Sequence, residues 1–287
     1  MFKNLIIVFL LVCVSTSLTA QISLYALYDK NGQATTFENL VTTSLEADVV
    51  LFGELHNNSV VHWLQLQLLK SLSAQHPKVI LSGEFFERDD QLNIDEWLEG
   101  RMTDKQFETE AKLWNNYLTD YKPLLLYAKT NKIPFIASNV PRKYAAMVSK
   151  NGLDYLQELS KQAKKHIASL PIKVDPTLPG YAAMKEMMHG SNMNMDYIIE
   201  AQAIKDATMA HSLLSNYNKE GLILHINGSY HSNNAEGIGW YLKQHKPKIR
   251  VITINTVEQD TTDKVDPANL NTADYVIVLP KDSPKSY

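Results

Sequence analysis

The chain has 287 residues, of which 45% are hydrophobic and 21% charged; 28 Lys+Arg against 31 Asp+Glu leave a formal net charge of -3. This composition excludes an intrinsically disordered chain, a collagen-like chain and a disulfide-stapled mini-protein. The slightly acidic balance offers no basic face to nucleic acid, so no nucleic-acid partner is expected.

The first twenty residues read as an address. Lys3 supplies a positive start, Leu5 to Val14 is almost entirely apolar, and Leu18-Thr19-Ala20 ends the segment on a small residue. Charge, short apolar stretch and small residue at the cut are the order of a secretory signal peptide. Cleavage is expected after Ala20, giving an exported, periplasmic or cell-envelope protein. The apolar run is short for a membrane span. The rival reading is lipoprotein processing at Cys13, the single cysteine; Val12 stands before it where a small residue is usual. With cleavage after Ala20, residues 21–287 form the mature chain, which carries no thiol.

Beyond that point the pattern alternates. Ala47 to Phe52 reads as a buried strand. Asn58 caps a helix whose apolar residues Val60, Trp63, Leu64, Leu68 and Leu72 keep a helical period. Val79-Ile80-Leu81 is a second strand. A helix around Leu124 to Lys129 precedes a third strand at Ile133 to Ala137. Three more follow, at Leu222 to Ile226, Ile249 to Ile254 and Tyr275 to Leu279. This alternation predicts an α/β fold, a mostly parallel sheet flanked by helices. Residues from about 141 to 217 hold no strand pattern and read as a helical insertion subdomain, broken at Pro171, Pro176, Pro179 and Gly180. The end, Lys281 to Tyr287, is expected to fray.

Open α/β sheets bind ligands at the carboxyl ends of their strands. The residues there are Gly53-Glu54-Leu55-His56, then Gly83-Glu84-Phe85-Phe86-Glu87-Arg88, then Asn139-Val140-Pro141-Arg142, then Gly228-Ser229-Tyr230-His231. Two have the form Gly-x-x-His. Glycine permits a sharp turn or a close approach, and histidine moves protons or ligates metal near neutral pH. One such tetrapeptide alone is more often structural than chemical. Its recurrence after two strands, with carboxylates after another, points to a cleft holding Glu54, His56, Glu84, Glu87, Arg88, Arg142 and His231.

The same segments, taken in order, resemble the ChaN family of haem-binding uptake proteins, within the wider Tiki/TraB/erythromycin esterase superfamily. Further matching segments are Asp120-Tyr121-Lys122-Pro123-Leu124, Ile133 to Tyr144, Ala201-Gln202 and Asp206 to Ala210. The resemblance runs from about residue 35 to 245. It implies an exported iron-uptake protein that binds haem, with paired haems across a homodimer and a haem-uptake receptor as partners. It also implies tyrosine ligation of the iron. Tyr144, in the matching Pro-Arg-Lys-Tyr segment, is the first candidate, followed by Tyr181 and His189 in the helical insertion. Haem iron accepts His, Tyr, Met or Cys, and a mature chain without Cys leaves the first three. Met184, Met187, Met188, Met193 and Met195 are suited either to a flat apolar cofactor face or to helix packing.

The Tiki branch implies a different activity, a metal-dependent hydrolase or protease. His56 and His231, with Glu54 or Glu84, would hold Zn or Mn, a remaining carboxylate would take a proton, and Arg142 or Arg88 would stabilise negative charge. The helical His-Glu-x-x-His signature is absent. The esterase branch implies a metal-free variant, with His56 as general base.

Overall fold

The computed structural model describes residues 23–187 and 194–287. The expected signal peptide over residues 1–20, with Cys13, Met188, His189 and Met193, lies outside them.

The strands are β1 (Ala26–Asp29), β2 (Val49–Glu54), β3 (Val79–Glu87), β4 (Phe135–Asn139), β5 (Leu222–Gly228), β6 (Val251–Gln259) and β7 (Tyr275–Pro280). They form one sheet in the order β1-β7-β6-β2-β5-β3-β4. Every neighbouring pair is parallel except β1 with β7. The α-helices are α1 (Phe37–Leu45), α2 (Ser59–Gln75), α3 (Gln91–Leu98), α4 (Asp104–Glu110), α5 (Lys122–Thr130), α6 (Arg142–Asn151), α7 (Pro179–Met187), α8 (Met195–Ser215) and α9 (Ile238–His245).

The central strands are buried on both sides, as continuous apolar runs in parallel sheets must be. Val50 and Phe52 of β2, with Leu224 and Ile226 of β5, face Leu64, Leu68 and Leu72 of α2. The alternate residues, Val49, Leu51 and Ile223, face Met209 and Leu213 of α8 and Leu242 of α9. Each fully buried Leu, Ile, Val or Phe contributes about 1.5–3 kcal/mol relative to exposure. Asn58 starts α2 as expected, its side-chain oxygen accepting from the amides of Val60 and Val61.

The helical insertion also forms as expected. Among the described residues, the stretch between β4 and β5 contains α6, α7 and α8 and no strand. Val140, Tyr144 and Val148 pack with Leu156, Ala201 and Ile204 into a separate apolar cluster. Gly152 ends α6 with φ +81°, a conformation that suits glycine.

Three details differ from the sequence expectation. Strand β1 was not read, because four residues at an antiparallel edge give too short a pattern. Strands β2, β3 and β5 run past their apolar stretches: Gly53 pairs with Asn227 and Glu54 with Gly228. Polar residues at strand ends still join the ladder, so hydrophobicity under-reads them. The C-terminal tail is pinned. Ser286 donates its amide to the Asn57 carbonyl at 2.8 Å, and Asn58 donates to the Ser283 hydroxyl at 2.7 Å. Its turn residues supply the hydrogen bonds that the loop after β2 needs.

Candidate functional site

Four strand ends deliver polar side chains to one edge of the sheet. Glu54, the last residue of β2, is 3% exposed and faces α2. It accepts from Gln65 at 2.6 Å, from the Tyr121 hydroxyl at 2.5 Å and from His56 Nδ1 at 2.9 Å. Burial opposes the charge, but the His56 hydrogen bond and the adjacent His62 hold the carboxyl below its ordinary range. Burial likewise opposes protonation of His56; the bond to Glu54 and that carboxylate's charge raise its pKa nonetheless. The His56 ring stands edge-on against Trp114, with centroids 5.0 Å apart. Its other edge lies against Gly228, where a Cβ would come within 2.8 Å of His56 Cε1 and Nε2. Any side chain at residue 228 would displace the imidazole.

The second cluster runs through His231. Glu84 accepts from the Gly228 amide at 2.7 Å, and its other oxygen lies 3.2 Å from His231 Nε2. His231 Nδ1 is hydrogen-bonded to Asp206 of α8, whose second oxygen accepts from the Tyr181 hydroxyl at 2.7 Å. Burial disfavours the imidazolium. Two carboxylates, one at each ring nitrogen, outweigh it and push His231 up to about 10. The His231 charge conversely holds Glu84 far below the usual carboxylate range, against its own burial. His231 is therefore a buried, doubly protonated cation at neutral pH, a charge pair of the kind tolerated only with full compensation.

Beside these clusters lies a cavity of about 260 Å³, walled by Glu84, Glu87, Trp114, Asn139, Arg142 and Lys205. Glu87 accepts from the Arg142 backbone amide at 3.0 Å, placing a carboxylate at the N-terminus of α6, where the helix dipole favours it. The structure thus brings Glu54, His56, Glu84, Glu87, Arg142 and His231 to one edge.

Arg88 is the exception. The chain enters a 3-10 turn at residues 88–90, which carries the guanidinium away from the cavity to the Ile167 carbonyl, 3.1 Å, and His211, 3.3 Å. The metal reading finds no support in this geometry. Among the described residues no three His, Cys, Asp or Glu side chains form a metal-holding group. His56 Nδ1 and both nitrogens of His231 are turned onto carboxylates, which leaves them no lone pair for Zn or Mn.

Comparison with known proteins assigns the family. The family model described as "Haem-binding uptake, Tiki superfamily, ChaN" matches residues 40–242. The chain belongs to this family. Among solved structures, ChaN of Campylobacter jejuni, determined with cofacial haem, is similar with a TM-score of 0.65 and 19% identity, covering 89% of this chain and 96% of that one. A protein of Bacillus cereus is similar with a TM-score of 0.52 and 14% identity, covering 91% and 96%. These likenesses establish the ChaN fold. No curated protein matches significantly by sequence.

Against that family background, the sequence-derived haem ligands are placed very differently. Tyr181 is 5% exposed and donates to Asp206. Burial, then the Asp206 charge, pushes its phenol pKa far up. A phenolate there would face a carboxylate, so the structure gives Tyr181 a part in the His231 network instead of a ligand's freedom. Tyr144 sits on α6 with the Lys143 ammonium 5.1 Å from its ring centroid. Its hydroxyl makes no hydrogen bond among the described residues. Met187 is 67% exposed, and its sulfur accepts from the exposed Tyr230 hydroxyl at 3.9 Å.

Sequence reasoning did not place Asp206, Tyr121, Gln65 and Lys205 at the site, although Asp206 and Tyr121 lie in segments that match the family. Asp206 had a signal: it is an acid in the midst of Ala203, Ile204, Ala207 and Met209, on a helix that is otherwise buried there. A charge on an apolar face asks for a partner elsewhere. Gln65 carries no such mark, because it sits on a helix with a plausible surface.

Proposed function

We propose that this chain is an exported haem-binding protein of haem or iron uptake. The observation that carries the proposal is membership of a haem-binding uptake family across residues 40–242. The solved ChaN of Campylobacter jejuni, with its cofacial haem, supports extending the reading to a homodimer with paired haems. The amino-terminal charge, apolar run and Ala20 support export, with the mature chain starting at Gln21.

The donor set of this chain fits ferric haem on the helical subdomain better than at the strand-end cavity. Haem supplies an iron that a phenolate can ligate and two propionates that need cations. The strand-end edge carries Glu54, Glu84, Glu87 and Asp206, which repel propionates. Tyr144 is about as buried as Tyr181, at 6% exposure, but its hydroxyl is bound to no carboxylate among the described residues, and Arg142, Lys143 and Lys150 of the same helix provide positive charge. Tyr144 would hold the iron and these side chains would orient the propionates.

Haemin titration of the mature protein tests this. Expected are a saturable Soret shift and, in Tyr144→Phe, loss of the spectrum of a tyrosinate-ligated ferric haem. A folded mature protein that takes up no haemin would refute the haem reading. An unchanged spectrum in Tyr144→Phe would move the ligand elsewhere and leave the haem reading standing. Mass measurement with and without haemin reads the dimer. Mass spectrometry of the exported chain reads its first residue, and attached lipid at Cys13 would replace cleavage after Ala20.

A second reading, acid–base chemistry at the strand-end cavity, is supported by His56. Its side chain is 41% exposed, and the Glu54 carboxylate raises its pKa against the cost of burial, which favours the protonated form of a general acid. Hydrolysis of a simple ester in the presence of chelator, lost in His56→Gln, is the expected signature. Equal rates for the two proteins would remove this reading.

A further inference from the structure

A second cavity, of about 590 Å³, lies away from the strand-end site and shares none of its wall residues. It opens between α8, α9 and the segment 168–173. We propose that it binds a small amphipathic carboxylate, an apolar body ending in one carboxylate group.

The apolar part of the wall comes from Pro171, Ile172, Leu214 and Trp240. Such a wall, with a few convergent polar groups, is the ordinary make-up of a small-molecule site. The polar part is composed of donors and cations. Lys173, Ser169, His211 and His245 reach the cavity, and no Asp or Glu contributes to its wall. That is the charge complement of an anion, in a chain with more acids than bases.

The tautomer of His211 sharpens the assignment. Arg88 Nη1 lies 3.3 Å from His211 Nδ1, and a guanidinium can only donate. Nδ1 is therefore the acceptor, and the ring proton sits on Nε2. That nitrogen lies 3.4 Å from the Ser169 hydroxyl on the cavity wall. Burial, followed by the charges of Arg88 and His245, lowers the His211 pKa and keeps the ring neutral. The ring is thus a fixed N–H donor beside a hydroxyl donor. Lys173, exposed at the rim, supplies the full charge; its ammonium is 5.8 Å from the Trp240 ring centroid. The Tyr241 hydroxyl donates to the Lys173 carbonyl at 2.7 Å and fastens the segment to α9.

Arg88 gains its role here. The sequence places it with the strand-end carboxylates; the fold uses it behind His211 as a positioning residue.

Calorimetric titration of the full chain with octanoate, and with 1-octanol as the uncharged probe, tests the proposal. Octanoate is expected to bind saturably and about tenfold more tightly than octanol, the order of a charge-assisted contact. Lys173→Met and His211→Gln should each weaken octanoate about threefold or more and leave octanol unchanged. Trp240→Ala should weaken both probes, because it removes wall shared by both. Lys173 is exposed, so its variant keeps the fold even if the partly buried His211 variant does not. Octanol binding as tightly as octanoate would overturn the proposal, and so would an octanoate affinity unmoved by Lys173→Met.

Discussion

One helix, α8, serves two sites that treat histidine in opposite ways. Asp206 faces the strand-end edge, where His231 lies between two carboxylates and is held as a cation. One and a half turns on, His211 faces the groove, where burial and then the Arg88 charge hold it neutral. A third imidazole, His225 on β5, is wholly enclosed and depressed to about 3 by burial; its Nδ1 meets the Ser82 hydroxyl at 3.0 Å. The three rings are chemically identical. Burial alone removes the proton, a flanking guanidinium helps to remove it, and paired carboxylates restore it.

The largest expected effect comes from breaking the strand-end pairing. Asp206→Ala leaves a buried His231 cation with half its compensation and frees the Tyr181 hydroxyl. The expected loss is about 3–5 kcal/mol of unfolding free energy, read by urea denaturation. A loss under about 1 kcal/mol would mean that His231 is not charged in the native state.

The pH dependence separates the two regions by sign. His231 is raised from 6.5 to about 10, so its contribution is fully present below pH 6.5 and is lost as pH rises toward 10. His211 is lowered, so its contribution is present above the unfolded value of 6.5 and is lost as pH falls through the native value. Glu84, also lowered, behaves like His211 but at more acid pH, below 4.5. Stability measured across this range should fall at both ends. His231→Gln should flatten the alkaline side and leave the His211 titration in place. An alkaline side as steep in that variant as in the wild type would break the comparison.

A smaller effect is expected at Arg88. Arg88→Met removes the guanidinium charge, and the His211 pKa should rise by about half a unit to one unit in an NMR titration. No change would mean that burial alone keeps the ring neutral. The smallest effect is expected at the rim, where Lys112 bridges Glu87 at 2.7 Å and Asp89 at 2.9 Å in partial exposure. Lys112→Ala should cost about 0.2–1 kcal/mol, diminishing with salt. A larger, salt-independent loss would make the rim part of the buried network.

Much of the strand-end site was legible because it sits where open parallel sheets put their ligands. Glu54, His56, Glu84 and His231 could be read as one cluster from three short segments following apolar runs. Arg88 was misplaced for a local reason. Four residues after Glu84, the chain has already left the strand for a 3-10 turn, and alternation no longer predicts direction. The tail failed similarly: Lys281 to Tyr287 looks free by composition, yet its hydrogen-bond partners, Asn57 and Asn58, lie more than two hundred residues earlier.

The sequence by itself determined the sheet, the helical insertion, the strand-end cluster and the family, because period, run length and ordered motifs are local properties. Only the tertiary structure decided which histidine is charged. That depends on Asp206 and Arg88, brought to His231 and His211 by packing of α8, the last helix of the insertion, against the sheet. No spacing in the chain encodes a contact between residues 88 and 211.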